Sequence, residues 1–535
     1  MLRRIPKPIS PAEFRDAVEA LLCRPNLTTA ARHGRPQTVA LAVSGGVDSI
    51  AMAFLFSRLL TSEEGIRTAG GTVRRAVGIV IDHRLRPGSD QEALCVAHEL
   101  RKLSLGALVK RLRWTQAGQA NMESLARTMR YRLLGVTCRR LHARNLFFAH
   151  HRDDQYETVL MRLLAGHGYR GLGAIPDSNA IPECSDLYGV YKSGLDDANS
   201  RADELRNFLR NGPDQACHRL EMSAAMVNPS IPDLRPLDCE DGGIMIHRPL
   251  LEFDKDRLIA TCEANELRWF EDNTNSDPTL TMRNAVRHLV KSHQLPRALQ
   301  KPAILALSKR SRRRSKAEES EAHRLLVREA VLRHFNPNVG TLTIKLPSSR
   351  SRRPRSLATS NARQRHQRLV AAAAIRKLID FVTPEIHLPP LSNLDGAVDR
   401  LFPALRSGPD RRRSEAFTMS GVLFRPAEGA EPTKWHLSRT PYPSSRPVPQ
   451  RIFLGRSGSS PLSGHRWRSW KAAKLWDGRF WLQITCQIVS PGAGVGAASA
   501  PPTTAEASCF REDALLAAST IQRRGKDGHH FAGIT

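Results

Sequence analysis

Residues 38–49, Thr38-Val39-Ala40-Leu41-Ala42-Val43-Ser44-Gly45-Gly46-Val47-Asp48-Ser49, decide how the chain folds. The first six form a short apolar run ending at a glycine turn, the pattern of a strand buried on both faces. A nearly all-apolar helix is expected over 49–60. Gly45 and Gly46 let the backbone turn with few steric limits and bring N–H groups close to an anion. The helix start adds unpaired N–H groups and the positive end of its dipole. Ser44 and Ser49 can donate hydroxyl hydrogen bonds to phosphate oxygens. Asp48 would repel bare phosphate, so its natural task is to hold a magnesium ion. An ordinary strand–turn–helix with a serine cap is the plainer account. The apolar strand, two glycines, two serines and one aspartate together favour a phosphate loop. The lysine of a G-x-x-x-x-G-K-[ST] loop is missing, and no G-x-G-x-x-G sits at this turn.

Outward from this loop, strand and helix signals alternate to about residue 175. Residues 76–81, 107–112 and 146–149 read as strands, and 89–104, 122–142 and 153–164 as helices. Ser89-x-x-Glu92 has the form of a capping box. Repeated β-α units with buried strands predict an α/β fold with a doubly wound parallel sheet covered on both faces. From 177 to 243 the pattern dissolves into Asp, Asn, Ser, Pro and Gly, read as a partly disordered insertion. A strand at 244–246 and a helix over 255–264 follow. Further helices are expected over 317–335 and 364–381, with an Arg- and Ser-rich link at 348–355. The domain expectation is a helical or targeting segment at 1–37 and a catalytic α/β domain at 38–290. A basic helical region follows at 291–400, then a largely irregular basic part at 401–535 with a small β island near 467–489.

Of the 535 residues 81 are Lys or Arg and 52 are Asp or Glu, a formal net charge of +29. A polyanion is therefore the first partner to consider. Lys309, Arg310, Arg312, Arg313, Arg314 and Lys316 form the densest run, read as phosphate contacts for the body of a nucleic acid, against an import address or a solvated linker. No membrane span is expected, because no run of about 18 apolar residues exists. The nine cysteines include no C-x-x-C pair, which argues against a disulfide framework, a zinc ribbon and an iron–sulfur cluster. The basic N-terminus is a poor secretory signal and an ambiguous organelle transit peptide.

Three clusters carry candidate chemistry. Arg127 and Arg130 are three apart on one helix and share a face, suited to phosphate or a cytosine edge; an ion pair of Arg127 with Glu123 is the bland alternative. His150, His151, Asp153 and Asp154 fall at the carboxyl end of an expected parallel strand, where ligands of open α/β sheets bind. There the bland option is an Asp153 helix cap beside a buried histidine. Arg283 and Arg287 lie four apart and read as phosphate contacts or as a solvated face.

Ser44-Gly45-Gly46-Val47-Asp48-Ser49 resembles the signature loop of the N-type ATP pyrophosphatases, or PP-loop superfamily. Further segments resemble tRNA(Ile)-lysidine synthetase: Asp82-His83-x-Leu85-Arg86-Pro87-x-Ser89, Glu123-x-x-Ala126-Arg127-x-x-Arg130-Tyr131, and Ala149-His150-His151-Arg152-Asp153-Asp154-Gln155-x-Glu157-Thr158. Arg170-Gly171-Leu172, Arg248-Pro249-Leu250-Leu251 and Trp269-x-x-Asp272-x-x-Asn275 followed by Arg283-Asn284 and Arg287 also fit. The resemblance covers about 38–289 apart from the insertion. Thr281 stands where the family more often has an aromatic, and the C-terminal part fits poorly although Asp477-Gly478-Arg479-Phe480 is similar to a D-G-R-F turn of some members.

The resemblance implies that ATP binds at Ser44, Gly45, Gly46, Val47, Asp48 and Ser49, with Mg2+ on Asp48 and Asp154. It implies catalytic roles for Asp48, Arg127 and Asp154, and substrate contacts for Arg130, His150, His151, Arg283 and Arg287. The reaction it implies joins free L-lysine to C2 of the wobble cytidine of tRNA(Ile) with a CAU anticodon, through an adenylated tRNA. A PP-loop tRNA thiolase is the runner-up, although no cysteine pair is suitably spaced. A catalytically inactive tRNA-binding homologue is the alternative of another class. The expected compartment is mitochondrial, otherwise cytoplasmic.

Overall fold

Gln37–Val43 forms the first strand, β1, with Val39, Ala40, Leu41 and Val43 buried. It pairs in parallel with β3 (Gly71–Asp82) on one side, Val43 opposite Val80, and with β5 (Asn145–Phe147) on the other, Ala40 opposite Leu146. Beyond β3 lies β4 (Gly106–Arg111) and beyond β5 lies β7 (Met245–His247), both parallel to their neighbours. Short antiparallel strands, β2 (Ile66–Thr68) on β3 and β6 (Ser178–Ala180) on β7, complete a seven-stranded sheet. The chain leaves β1 towards β3 and β4, then crosses back to β5 and β7. The order therefore reverses between β1 and β5, and the crevice at their carboxyl ends is where such sheets bind ligands.

The computed structural model describes residues 6–23, 37–62, 64–68, 71–114, 122–191, 243–270, 279, 281–336, 340–347, 357–406, 415–427, 433–442, 466–469, 474–483, 485–488, 522–525 and 530–532. Asp272, Asn275, the 348–355 link and most of the 177–243 insertion lie outside them. Two compact units result, the first comprising Met1–Ser185, Gly189–Asp197 and Asp241–Lys316.

In the first unit α1 (Pro11–Leu22), α2 (Val47–Thr61), α3 (Ser89–Lys102), α4 (Met122–Arg140), α5 (Arg152–Leu164) and α6 (Lys255–Ala264) accompany the sheet. The helix at the N-terminus is part of this core. Phe14 of α1 meets Phe56 of α2 edge-on at 5.2 Å, and Phe56 meets Phe147 of β5 at 4.8 Å. Ten residues of α2 are buried, which accounts for its apolar sequence on all sides. The Ser89–Glu92 capping box does not form. Gly88 is the cap residue at φ 79°, Ser89 donates to Asp82 Oδ1 at 2.8 Å, and Glu92 pairs with Arg86 at 2.6 Å. A buried carboxylate at the end of β3 outcompetes the helix amides for that hydroxyl.

Two helices follow, α7 (Met282–Ser292) and α8 (Lys301–Arg324). The basic run is therefore helical, within α8, and not a link ahead of a helix. The helix expected over 317–335 ends at Arg324 and a π-turn, and Val331–Asn336 is strand β8.

The second unit is built on a five-stranded antiparallel sheet in the order β10 (Phe417–Met419), β11 (Val422–Pro426), β12 (Lys434–Arg439), β9 (Thr341–Lys345), β8. Helix α9 (Leu357–Val382) and the short α10 (Asp395–Leu401) share its core through Ala371, Ile375, Ile379, Val398 and Leu401, with Leu342, Ile344, Trp435 and Leu437 from the sheet. Three of these strands come from the stretch expected to be irregular. The turn Asp477-Gly478-Arg479 joins Lys474–Trp476 to Phe480–Gln483, with Asp477 accepting from Arg439, Tyr442 and Arg479. Among the described residues no helix is long and apolar enough to cross a membrane.

Candidate active site

The loop after β1 is shaped from within by one hydroxyl. Buried Ser49 accepts from the amides of Ser44 at 3.3 Å and Gly45 at 3.1 Å, and donates to Gly46 O at 2.9 Å. Gly45 sits at φ 93°, and a Cβ there would lie 2.6 Å from Val96 Cγ2, so the backbone conformation and the space both require glycine. Ser44 is exposed and Asp48 half-buried, both at the mouth of the loop. Gly46 caps α2, its carbonyl accepting from Ser49 N at 3.0 Å and Ile50 N at 3.1 Å, and the amides of Val47 and Asp48 precede that ladder.

Facing this loop is the start of α5. His151 is the cap residue, and not Asp153: its Nδ1 lies 3.2 Å from Asp153 N, a bond it accepts only as the neutral ring, while Asp154 Oδ2 accepts from His151 N at 3.0 Å. His151 Nε2 lies 3.5 Å from Asp48 Oδ2 and 3.6 Å from Asp154 Oδ2, so one imidazole edge joins the phosphate loop to the α5 turn. Burial alone would push this imidazole down, but Asp153, Asp48 and Asp154 outweigh it and raise it to about 10. Burial likewise works to raise Asp154, and the His151, His150 and Arg283 charges together with the His151 amide bring it below its ordinary value.

Arg283 and Arg287, on α7, are brought to the same turn. Arg287 donates through Nε to Glu157 Oε1 at 2.7 Å and stands 3.5 Å from Asp154 Oδ1; Arg283 stands 3.6 Å from Glu157 Oε2. They are neither a solvated face nor bare cations, because α5 presents Glu157 one turn after Asp154. Thr281, in place of the aromatic, caps α7 by accepting from Asn284 N at 3.1 Å.

A second cluster is dominated by cations. Arg127 and Arg130 of α4 lie 4.9 and 5.6 Å from the Tyr131 ring centre. Tyr131 leans on Phe148 at 5.8 Å, and Phe148 stacks on His150 at 5.7 Å. Buried Arg248 donates to Pro176 O and Asn179 Oδ1. Arg130 Nε, Arg248 Nε and His150 Nδ1 are buried and have no hydrogen-bond partner. Burial, with Arg248 and Arg283 nearby, pushes His150 down to about 4 although Asp154 pulls the other way. The Glu123 side chain lies outside the described residues.

Residues 23–211 and 225–294 match the PP-loop domain family. This part of the chain is a PP-loop domain. The chain is 32% identical over 242 residues to a tRNA(Ile)-lysidine synthase of Bradyrhizobium sp. strain BTAi1, covering 45% of this chain and 48% of that protein. It is 26% identical over 258 residues to a probable tRNA(Ile)-lysidine synthase of Schizosaccharomyces pombe, covering 47% and 44%. It thus spans about half the length of the curated relatives it matches. Among solved structures a U34-tRNA thiolase from Methanococcus maripaludis with its [4Fe-4S] cluster aligns at 16% identity and a TM-score of 0.33, covering 56% of this chain and 78% of that one.

The PP-loop domain's carboxylates suit a magnesium ion that nucleotide phosphates also bind. Asp48 Oδ1 is buried and without a hydrogen-bond partner, and hard cations of this kind take one or two protein carboxylates together with phosphate and water. Among the described residues no group of three or more His, Cys, Asp or Glu side chains forms a self-sufficient metal cage.

The structure also brings in residues that the sequence reading did not assign. Glu157 sits within a quoted motif and shares the Asp154 face by its spacing of three. Lys301, beyond the match to the family, donates to Asp153 Oδ1 and Asp254 Oδ1, both at 2.6 Å, and nothing local in sequence marks it. Two of the domain's buried thiols, Cys138 and Cys262, are pushed up by burial, Cys262 to about 12, which disfavours the thiolate form.

Proposed function

We propose that this chain is an ATP-dependent carbon–nitrogen ligase that joins free L-lysine to C2 of the wobble cytidine of a tRNA(Ile) with a CAU anticodon. The observation carrying the reading is the match to tRNA(Ile)-lysidine synthases over a PP-loop domain whose loop, α5 turn and α4 guanidiniums converge on one crevice. ATP lies with its phosphates on the first turn of α2 and on Ser44. The cytosine C2 oxygen attacks the α phosphorus and pyrophosphate leaves. The lysine ε-amine then attacks the adenylated C2, and AMP departs with that oxygen. An amide-like oxygen is a poor leaving group until it is adenylated, which is why ATP is consumed.

Arg127, exposed on α4, neutralises charge on the α phosphate in both displacements. The attacking amine must lose a proton. His151 holds its own proton among three carboxylates, so ionised Asp154 is the better acceptor of the two. Asp48 and Asp154 are the carboxylates that would hold Mg2+, which would supply charge neutralisation to the nucleotide's phosphates. The exposed cations of α8, including Arg310 and Arg313, contact the tRNA body without reading its sequence.

Incubation with α-labelled ATP and tRNA, without lysine, is expected to give acid-labile label on the tRNA, discharged as AMP when lysine is added. Label on lysine would mean that the amino acid is activated, and the mechanism would be wrong. Sulfur incorporation in place of lysine would turn the assignment to a thiolase.

A further inference from the structure

α5 bears the turn on which His151 and Asp154 sit, and the start of that turn is held from outside the PP-loop match. Asp153 Oδ1 accepts from Lys301 Nζ at 2.6 Å, and Asp153 Oδ2 accepts from Lys255 N at 3.0 Å. The same ammonium reaches Asp254 Oδ1 at 2.6 Å, and Asp254 Oδ2 accepts from Arg152 Nη1 at 2.8 Å. One turn further along α5, Tyr156 OH donates to Leu299 O at 2.7 Å, immediately before α8 begins. Three segments far apart in sequence, 152–156, 254–255 and 299–301, are thereby tied at one point.

The tie has a direct consequence for the imidazole. Asp153 Oδ2 is also 3.6 Å from His151 Nδ1, on the ring edge opposite Nε2, which faces Asp48 and Asp154. With Oδ1 on Lys301 and Oδ2 on the Lys255 amide, the Asp153 carboxylate is fixed and its charge offset. Without the ammonium it is free to turn onto Nδ1 and draw the ring away from Asp48 and Asp154. A cavity of about 390 Å³ adjoins the network, bordered by Arg152, Glu252, Asp254 and Lys301. These groups are paired with one another, so the feature is a brace and not an empty charged site.

We propose that Lys301 is a positioning residue for the ligase reaction: by holding Asp153 it keeps His151 and Asp154 aligned with Asp48 and the phosphate loop. The proposal rests on the functional reading above. It also makes the N-terminus of α8, the helix carrying the basic run, a mechanical part of the catalytic turn.

The test is steady-state AMP formation with ATP, tRNA and lysine by the full chain, alongside tRNA affinity and the thermal midpoint. Lys301→Met is expected to lower kcat about 10-fold while the KM for ATP and the Kd for tRNA stay within about twofold, because alignment and not binding is lost. Lys301→Arg is expected to recover most of the rate, since it can still reach two carboxylates. In an Asp153→Asn background Lys301→Met is expected to cost little, because the charge it restrained is gone. A purely structural lysine would instead show a rate loss that follows the fraction folded, or full additivity with Asp153→Asn, and either result overturns the proposal. Should Lys301→Met not fold, Lys301→Gln takes its place with the same ordering expected. Wild-type protein that makes no AMP overturns the ligase reading and the proposal with it; wild type that turns over no faster than Lys301→Met overturns the proposal alone.

Discussion

The acidic turn at the start of α5 and the guanidinium cluster on α4 lie at the carboxyl edge of the same sheet, yet they are satisfied in opposite ways. Around Asp153, Asp154 and Glu157 each carboxylate has found a cation, from Lys301, Arg283 or Arg287. Around Arg130, Arg248 and His150 buried polar nitrogens stand without an acceptor. Burying a polar group without a partner costs about 1–3 kcal/mol. The first cluster is therefore charge-balanced by the fold itself, whereas the second is balanced only when an anion arrives. The two adjacent histidines divide along this line. His151 lies among carboxylates and is raised, and His150 lies among guanidiniums and is lowered. In this chain, the part of a site assembled by ion pairs is the scaffold, and the part left short of partners is where the substrate's charge belongs.

The sharpest way to break this division is at Asp48, whose Oδ1, like Glu157 Oε2, is buried without a hydrogen-bond partner, and which faces the phosphate loop. Asp48→Asn keeps the shape and removes the charge. It is expected to cut AMP formation by about 10²-fold or more with tRNA binding nearly intact. Near-normal AMP release would mean that the open oxygen has no part in handling the nucleotide.

A smaller effect is expected from the basic side. Pyrophosphate stabilises wild-type protein in proportion to how tightly the folded state binds it. Arg130→Met removes a guanidinium whose buried Nε has no hydrogen-bond partner, so the concentration of pyrophosphate needed for a given rise in thermal midpoint should increase about 10-fold. The variant without pyrophosphate should be no less stable than wild type, because a buried group lacking a partner has been removed. An unchanged pyrophosphate response would show that the cluster does not take the anion.

Much of the scaffold was legible because its rules are local. The run from Val39 to Val43, two glycines and an apolar helix can pack in few ways, and Gly45 at φ 93° is what that turn requires. Ser89 misled because a capping box is also a local pattern, and a buried Asp82 from another element won its hydroxyl. The ion pairs of Arg283 and Arg287 were hidden because Glu157 lies on a different helix, 130 residues from Arg287. Lys301 is a plain lysine at a helix start until the fold sets it between two aspartates. The second unit was missed for another reason. Leu342 and Ile344 alternate with polar neighbours as a strand should, but the strand is only five residues long and preceded by helix-favouring sequence, which dominates a windowed reading.

The smallest expected effect tests the contrast at the two histidines themselves, through the pH dependence of unfolding. His150 falls from its usual 6.5 to about 4 in the folded protein, so the unfolded chain binds a proton first as acid is added. Its contribution to stability is whole above pH 6.5 and is lost as pH falls from 6.5 to about 4. His151 is the reverse. Raised to about 10, it contributes fully below pH 6.5, and that contribution is lost as pH rises from 6.5 through 10. Denaturant midpoints measured from pH 4 to 10 should therefore show His150→Gln flattening only the acid limb and His151→Gln flattening only the alkaline limb. Some acid slope should remain in His150→Gln, because burial also lowers His83. Glu13 and Glu19, lowered from their ordinary 4.5, add to that acid slope in the wild type and in both variants alike, while the lowered aspartates act below about pH 3.8 and stay outside the window. Pyrophosphate should shorten the acid limb of wild type, since an anion among the guanidiniums favours protonated His150, and should leave the alkaline limb in place. If both substitutions flatten the same limb, the two histidines share one field and the division of the site into an acidic scaffold and a basic receiving side is wrong.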